Sequence, residues 1–418
     1  MTNPKNLVEI VTNKSEIKRR MRVVSRTLLA GLLAAGTVLL LSESYQSSAR
    51  RAYEAYYNFI GNYPDEADTG WSDVAQGLTH DRDNWFITQT GQLWKIPVTH
   101  DLNNVSCGGG VVCRSLDDIR GLSSEGYNHL GDPEYYEFRG KGYVLVPVEA
   151  PLEGDTRLAP SVVAAFDADT LEYIAHSPLP GQRDAPWVAV DPQGNVYSSN
   201  FDGVTAVNKF GLDWSSLSST DNPRLILSAP TKIPLFDEDR SPTTIQSLQG
   251  GVISPSGELL YVVAGTEKFL HPSHGVHVFD LSTGARIRRS TNGYGLFNYE
   301  FHPGGVSREE PEGITIWDLD DGRAPGIRGQ LHVLLLDNDP GADDVYLKHY
   351  THTIYVDRNY HGAEAGTVAQ PFNTVDEANS QAWDGARIKI KGASYPEWPT
   401  FAKRVEVVAH GGNVIIGK

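Results

Sequence analysis

Apolar and polar positions alternate along most of this chain with a period of two, in short runs separated by turn residues. The clearest unit is Ala185 to Asn200. Val188 and Val190 flank Ala189 in a strand pattern, Asp191-Pro192-Gln193-Gly194 is a turn, and Asn195-Val196-Tyr197 starts the returning strand. The unit recurs. Apolar runs follow Gln76-Gly77, Gly131-Asp132-Pro133, Pro186-Trp187, Gln249-Gly250-Gly251 and Glu312-Gly313, spaced 54 to 64 residues apart. That period holds four strands and their loops, the size of one blade of a propeller. Phe166-Asp167 and Phe279-Asp280 each close a strand with an Asp, which caps a turn by accepting backbone N–H groups. The pattern predicts an all-β fold: a five- or six-bladed β-propeller over 71–352, followed by a small C-terminal β-helix-like module over 353–418.

The two ends of the chain read differently. Lys14, Lys18, Arg19, Arg20, Arg22 and Arg26 form a basic run before the apolar stretch Leu28 to Leu41. Fourteen residues are short for a membrane span of about 20. The pattern predicts an export signal over 1–49, either cleaved after Ala49 or retained as a membrane anchor. Residues 50–70 read as a linker, with a short helix over Arg51 to Ile60. After His352 a capping box, Thr374 and Glu377, predicts a short helix, and Ala386 to Lys391, Val405 to Ala409 and Val414 to Ile416 predict strands.

Charge and cysteine content narrow the function. A net charge of −16 lacks the basic face that nucleic acid requires. The two cysteines, Cys107 and Cys113, bracket five residues and predict a local disulfide, which suits a secreted or cell-surface protein. No Gly-x-Ser-x-Gly elbow is present. His271, His274 and His277 lie close together, but Pro272 and Gly275 place them in a loop.

The blade starts resemble those of the six-bladed YWTD- and NHL-like extracellular propellers and of the lactonase and phytase propellers, although no blade carries a full YWTD box. Pro311-Glu312-Gly313 carries the second likeness. It implies a calcium site at Glu312, with Asp132 and Asp337 as further oxygen ligands, and Ca²⁺ polarising a phosphoryl or lactone oxygen. Against it, Gln76 and Gln249 are neutral at the matching positions. Asp337 also opens Asp337-Asn338-Asp339-Pro340-Gly341, an ordinary turn composition, and Asp343 and Asp344 continue an acidic loop. The segment Gly366-Thr367 to Gln370-Pro371-Phe372-Asn373-Thr374 resembles the opening of a pectin-lyase-like right-handed β-helix. That implies a carbohydrate-associated module, in which Trp383 and Trp398 are sugar-stacking candidates.

Propellers bind ligands where inner strands converge. The expected mouth residues are Gln76, His80, Asp132, Glu134, Trp187, Gln249 and Glu312, with Asp81 and His129 nearby. The preferred reading is an exported recognition protein that binds a protein, glycan or small molecule at that mouth. The alternatives are a calcium-dependent hydrolase and a structural spacer. Membrane association would come only through a retained N-terminal segment.

Overall fold

The computed structural model describes residues 57–417 apart from 68–69, 155, 266–272, 292–296, 300–308, 338–343, 365, 367–369, 383–385 and 404. The signal segment, His271, Asn338 to Asp343 and Trp383 lie outside the described residues. Among the described residues no helix is long and apolar enough to cross a membrane.

Five antiparallel blades form the bulk of the fold. Blade I runs through Ala75–His80, Asn84–Gln89, Gln92–Pro97 and Val112–Ser115. Blade II begins with two short strands, His129–Leu130 and Glu134–Phe138, both paired to Lys141–Glu149. Val162–Asp167 and Tyr173–Pro178 complete it. Blade III comprises Ala189–Val190, Asn195–Ser198, Ala206–Gly211 and Thr231–Pro234, and blade IV comprises Leu248–Ile253, Leu259–Ala264, Gly275–Asp280 and Arg286–Arg289. Blade V takes Glu309–Ile316, Leu331–Asp337 and Asp344–Thr351 from the far end of the propeller sequence, and its outermost strand, Asn58–Asn62, from the near end. The blade count is therefore five.

The outermost strand corrects the sequence reading. Asn58–Asn62 lies where a linker helix was expected, and it pairs antiparallel with Asp344–Thr351. Local helix propensity loses to a long-range partner that supplies both hydrogen bonds and burial, with Tyr57 and Phe59 packed into the adjoining core.

Burial explains why the middle strands are continuous apolar runs. Each blade packs on a neighbour at both faces, so Leu259–Ala264 is buried throughout, whereas the outer strand Arg286–Arg289 remains partly exposed. Five hydrophobic clusters result, one between each pair of neighbouring blades. The cluster of Trp85, Trp94, Trp317 and Leu334 joins blade I to blade V and completes the ring.

Asp167 and Asp280 cap their turns as expected. Asp167 accepts from the Asp169 and Thr170 amides, and Asp280 accepts from those of Ser282 and Thr283. Cys107 and Cys113 form a disulfide. Closing so short a loop restricts the unfolded chain modestly. Cys113→Ser is expected to lower stability by about 2 kcal/mol, read from denaturant unfolding under non-reducing conditions.

The C-terminal residues form a separate parallel arrangement. Thr353–Val356, Arg387–Lys391 and Glu406–His410 pair in parallel, as do Ser394–Tyr395 and Ile415–Ile416. The helix Val375–Gln381 starts where the capping box predicts, with the Thr374 hydroxyl accepting the Glu377 amide. Ile354, Val375, Ala378, Ile388 and Ile390 supply a small core of its own.

Candidate functional site

The innermost strands meet at glycine. A Cβ on Gly77 would lie 2.3 Å from the Asp132 Cα, and one on Gly313 would lie 2.6 Å from the Gly77 Cα. Only residues without a side chain allow backbones from different blades to approach this closely.

Asp132 fills the axis at this level. Its carboxylate accepts the amides of Leu78 at 3.0 Å, Gly251 at 3.0 Å and Ile314 at 3.4 Å, one each from blades I, IV and V. Its backbone pairs with blade III, donating to the Pro186 carbonyl and accepting from the Val188 amide. One residue thus ties all five blades together. Complete burial pushes its carboxyl well above the usual range, the three amides pull the other way, and Glu134 adds repulsion.

Above the glycines the strands of blades I, IV and V each carry an irregularity in register, between Ala75 and Gly77, Leu248 and Gly250, and Pro311 and Gly313. The unpaired residues are Gln76, Gln249 and Glu312. A bulge re-aims its side chain, and all three line one cavity of about 450 Å³. His129 and Pro186 complete the inner ring from blades II and III. The His129 Nε2–H donates to Gln76 Oε1 at 2.7 Å, and burial, aided by nearby Arg157, drives the imidazole down to about 4, so it is a neutral donor. Gln249 donates to Glu312 at 3.4 Å. Burial raises the Glu312 carboxyl well above its ordinary value, and the charge of Glu310, a hydrogen bond to it and the charge of Asp132 add to the rise.

The outer wall is charged. Arg157 pairs with Glu149 and with Asp184, and Arg183 pairs with Asp184 at 2.9 Å. Arg157 also donates to the Ala150 carbonyl at 2.9 Å, pinning the small hairpin of Leu152–Glu153 and Thr156–Arg157 at the rim. Leu152 and Phe201 add apolar surface to the lining.

Of the residues expected at or near the mouth, Gln76, His129, Gln249 and Glu312 share the cavity, and the others do not line it. Asp132 lies beneath it. Trp187 is fully buried, its indole N–H bonded to Ser199 and its ring over Gly251. Glu134 accepts from the Thr79 hydroxyl and the Tyr135 amide, and burial pushes it up to about 8. His80 is stacked 4.3 Å from Trp317, with its ring nitrogens facing the carbonyls of Asp81 and Ile316, and Asp81 itself caps the next turn.

Of the three expected calcium ligands, Glu312 lines the cavity and Asp132 and Asp337 do not. Asp132 spends its oxygens on backbone amides, and Asp337 closes its strand opposite Glu309 and Asp344, outside the cavity lining. Among the described residues no three His, Cys, Asp or Glu side chains are grouped to hold a metal ion. His277 is bonded to the Ser273 carbonyl and to Arg286, which accounts for both its nitrogens. Trp398 is exposed on the C-terminal module, far out of any core.

Sequence reasoning missed Glu149, Arg157, Arg183, Asp184, Asp202 and Glu310. Arg183, Asp184 and Asp202 belong to connections between strands, where periodicity carries no signal, and Glu149, Arg157 and Glu310 lie at or near strand ends.

No family model and no curated protein matches the sequence. Among solved structures, a GH43 β-xylosidase/α-arabinofuranosidase from a compost microbial metagenome is similar at 12% identity and a TM-score of 0.40, over 69% of this chain and 94% of that one. A GH43 endo-arabinanase from Bacillus licheniformis is similar at 12% identity and TM-score 0.36, covering 68% and 96%. The Dos1 propeller is similar at 14% identity and TM-score 0.30, covering 65% and 58%. Likenesses this remote leave the chemistry to be read from the residues of this chain.

Proposed function

We propose that the protein is an exported recognition propeller that binds a small polyhydroxylated ligand, a sugar or short glycan, in the mouth cavity. The convergence of bulged Gln76, Gln249 and Glu312 from three blades carries this reading. Two amides, a neutral imidazole and a carboxyl that burial biases toward its protonated form offer donors and acceptors together, which matches hydroxyl groups. Leu152 and Phe201 offer apolar contact to the C–H face of a sugar ring. The Cys107–Cys113 disulfide supports an oxidising destination. The parallel strand pairs after Thr353 support reading that module as the start of a β-helix.

Calorimetric titration of the full chain with a panel of neutral mono- and oligosaccharides tests the proposal. Binding is expected for a subset of the panel. Gln76→Ala and Glu312→Ala are each expected to weaken it about tenfold, since truncating a hydrogen-bonding partner costs about 1–3 kcal/mol. A panel that shows no binding, or variants that bind as wild type, would overturn it.

Hydrolysis is a second reading, favoured by the place of the Glu312 carboxyl in the cavity lining and by the burial that raises it. A glycosidic oxygen placed there would meet a general acid. Release of reducing ends that stops in Glu312→Gln, with binding retained, separates hydrolysis from recognition alone.

A further inference from the structure

One edge of the C-terminal module is open. Among the described residues, Glu406–His410 is the last strand of its parallel sheet and pairs only with Arg387–Lys391. The register stacks side chains in columns. Ile354, Ile388 and Val407 form one column, and Val356, Ile390 and Ala409 form the next. The first two members of each are buried, whereas Val407 and Ala409, at the open end, are exposed. Ile415 lies on the edge strand of the second sheet, and the exposed Trp398 has its ring beside Gly417. Val407, Ile415, Trp398 and Phe401 are four of the eight large apolar side chains exposed among the described residues, so apolar surface gathers on this module.

The backbone sets what the edge can accept. The Glu406 N–H donates to the Ala386 carbonyl, and the His410 carbonyl accepts from the Gly392 N–H. The N–H and C=O of one residue point to the same side of a strand, and successive residues alternate. Glu406, Val408 and His410 therefore spend their groups inward, on Arg387–Lys391 and its flanks. Val407 and Ala409 present theirs at the open edge.

We propose that this edge pairs with the same edge of a second copy of the chain, antiparallel about a two-fold axis through Val408. Val407 then stands opposite Ala409 of the second copy, and Ala409 opposite its Val407. Each pair exchanges two hydrogen bonds, and Val408 faces its counterpart between them as a non-hydrogen-bonded pair. An axis normal to the sheet keeps both inner faces on one side, so the two buried columns run on into the second copy. Glu406 comes opposite His410 of the second copy, a carboxylate acceptor beside an imidazole donor. Centring on Val407 or Ala409 instead would leave the other outward-pointing residue opposite a position beyond the strand. A foreign strand could match the hydrogen bonds alone. Self-pairing matches the bonds, the columns and both ends, and the interface is isologous, so one edge supplies both halves.

Cross-linking of the full chain tests the register. Both native cysteines are committed to one disulfide, so Val408→Cys introduces a single free thiol. The two Cα atoms at this position would lie about 4.5 Å apart, within disulfide reach. Mild oxidation of Val408→Cys is expected to give a covalent dimer. Ser380→Cys, exposed on the helix Val375–Gln381, is expected to stay largely monomeric under the same conditions. In analytical ultracentrifugation the wild type is expected to dimerise at micromolar concentration. Val407→Lys is expected to weaken that association about tenfold or more, since each dimer would bury two ammonium groups against apolar neighbours. Its melting temperature is expected to stay near wild type, because the side chain is exposed in the single chain. The cross-linking arm stands by itself should Val407→Lys fail to fold. Association through another surface, the apolar Leu28 to Leu41 stretch included, would not bring two residues 408 together. A wild type that stays monomeric, a thiol at 408 that cross-links no faster than one at 380, or a folded Val407→Lys chain that associates as wild type overturns the pairing.

Discussion

Replacing Asp132 with alanine is expected to cost on the order of 4 kcal/mol, at about 1–3 kcal/mol for each buried donor left without a partner. Three amides lose their acceptor at once, those of Leu78, Gly251 and Ile314. They belong to three blades, so the damage is not confined to one sheet. Water entering from the cavity above would reach some of these groups, which is why the full sum is not expected. Asp132→Asn keeps an acceptor oxygen and is expected to lose about half as much. Urea unfolding of both variants checks the order. Equal stability of Asp132→Ala and wild type would show that the axial contacts are not what holds the ring.

Gly77→Ala is expected to be comparably severe, at about 3 kcal/mol or more, the upper range of overpacking. The added methyl would meet the backbone of Asp132 at 2.3 Å, and the nearest neighbours include Pro133, so no flexible chain end can swing aside. Gly91→Ala provides the comparison, because nothing lies within 4 Å of its added carbon. Denaturant midpoints of the two variants are expected to separate clearly, with Gly91→Ala near wild type. Similar midpoints would mean that the inner strands yield easily.

Much of the ring was legible in the sequence because the inner strands repeat a signature. Gln76-Gly77, Gln249-Gly250 and Glu312-Gly313 each combine a polar bulge residue with a glycine at the axis. The sidedness was not legible. Alternation alone sends Gln76 and Asp132 to equivalent places, whereas the bulge at Gln76 turns its side chain up into the cavity. Asp132 lies in a gap between two short strands and turns into the axis instead. Trp187 looked like an aromatic at the mouth, yet the space over Gly251 draws its ring into the core between blades III and IV. The charged wall of Arg157, Glu149 and Asp184 depends on a strand end, a short hairpin and a loop meeting in space, which no local pattern encodes. The helix expected over Arg51 to Ile60 gives way to a strand at Asn58 to Ile60 for the same reason, since the partner of Asn58–Asn62 lies far along the chain, and its start lies outside the described residues.

That strand also sets a timetable for synthesis. Asn58 donates to the Thr353 carbonyl across 295 positions of sequence. At about 5–20 residues per second a ribosome needs roughly 15–60 s to make that interval. Through that time four blades can form while the first strand has no partner to complete. Its unmatched backbone is then open to pairing with another chain, a hazard that ends when Asp344–Thr351 emerges.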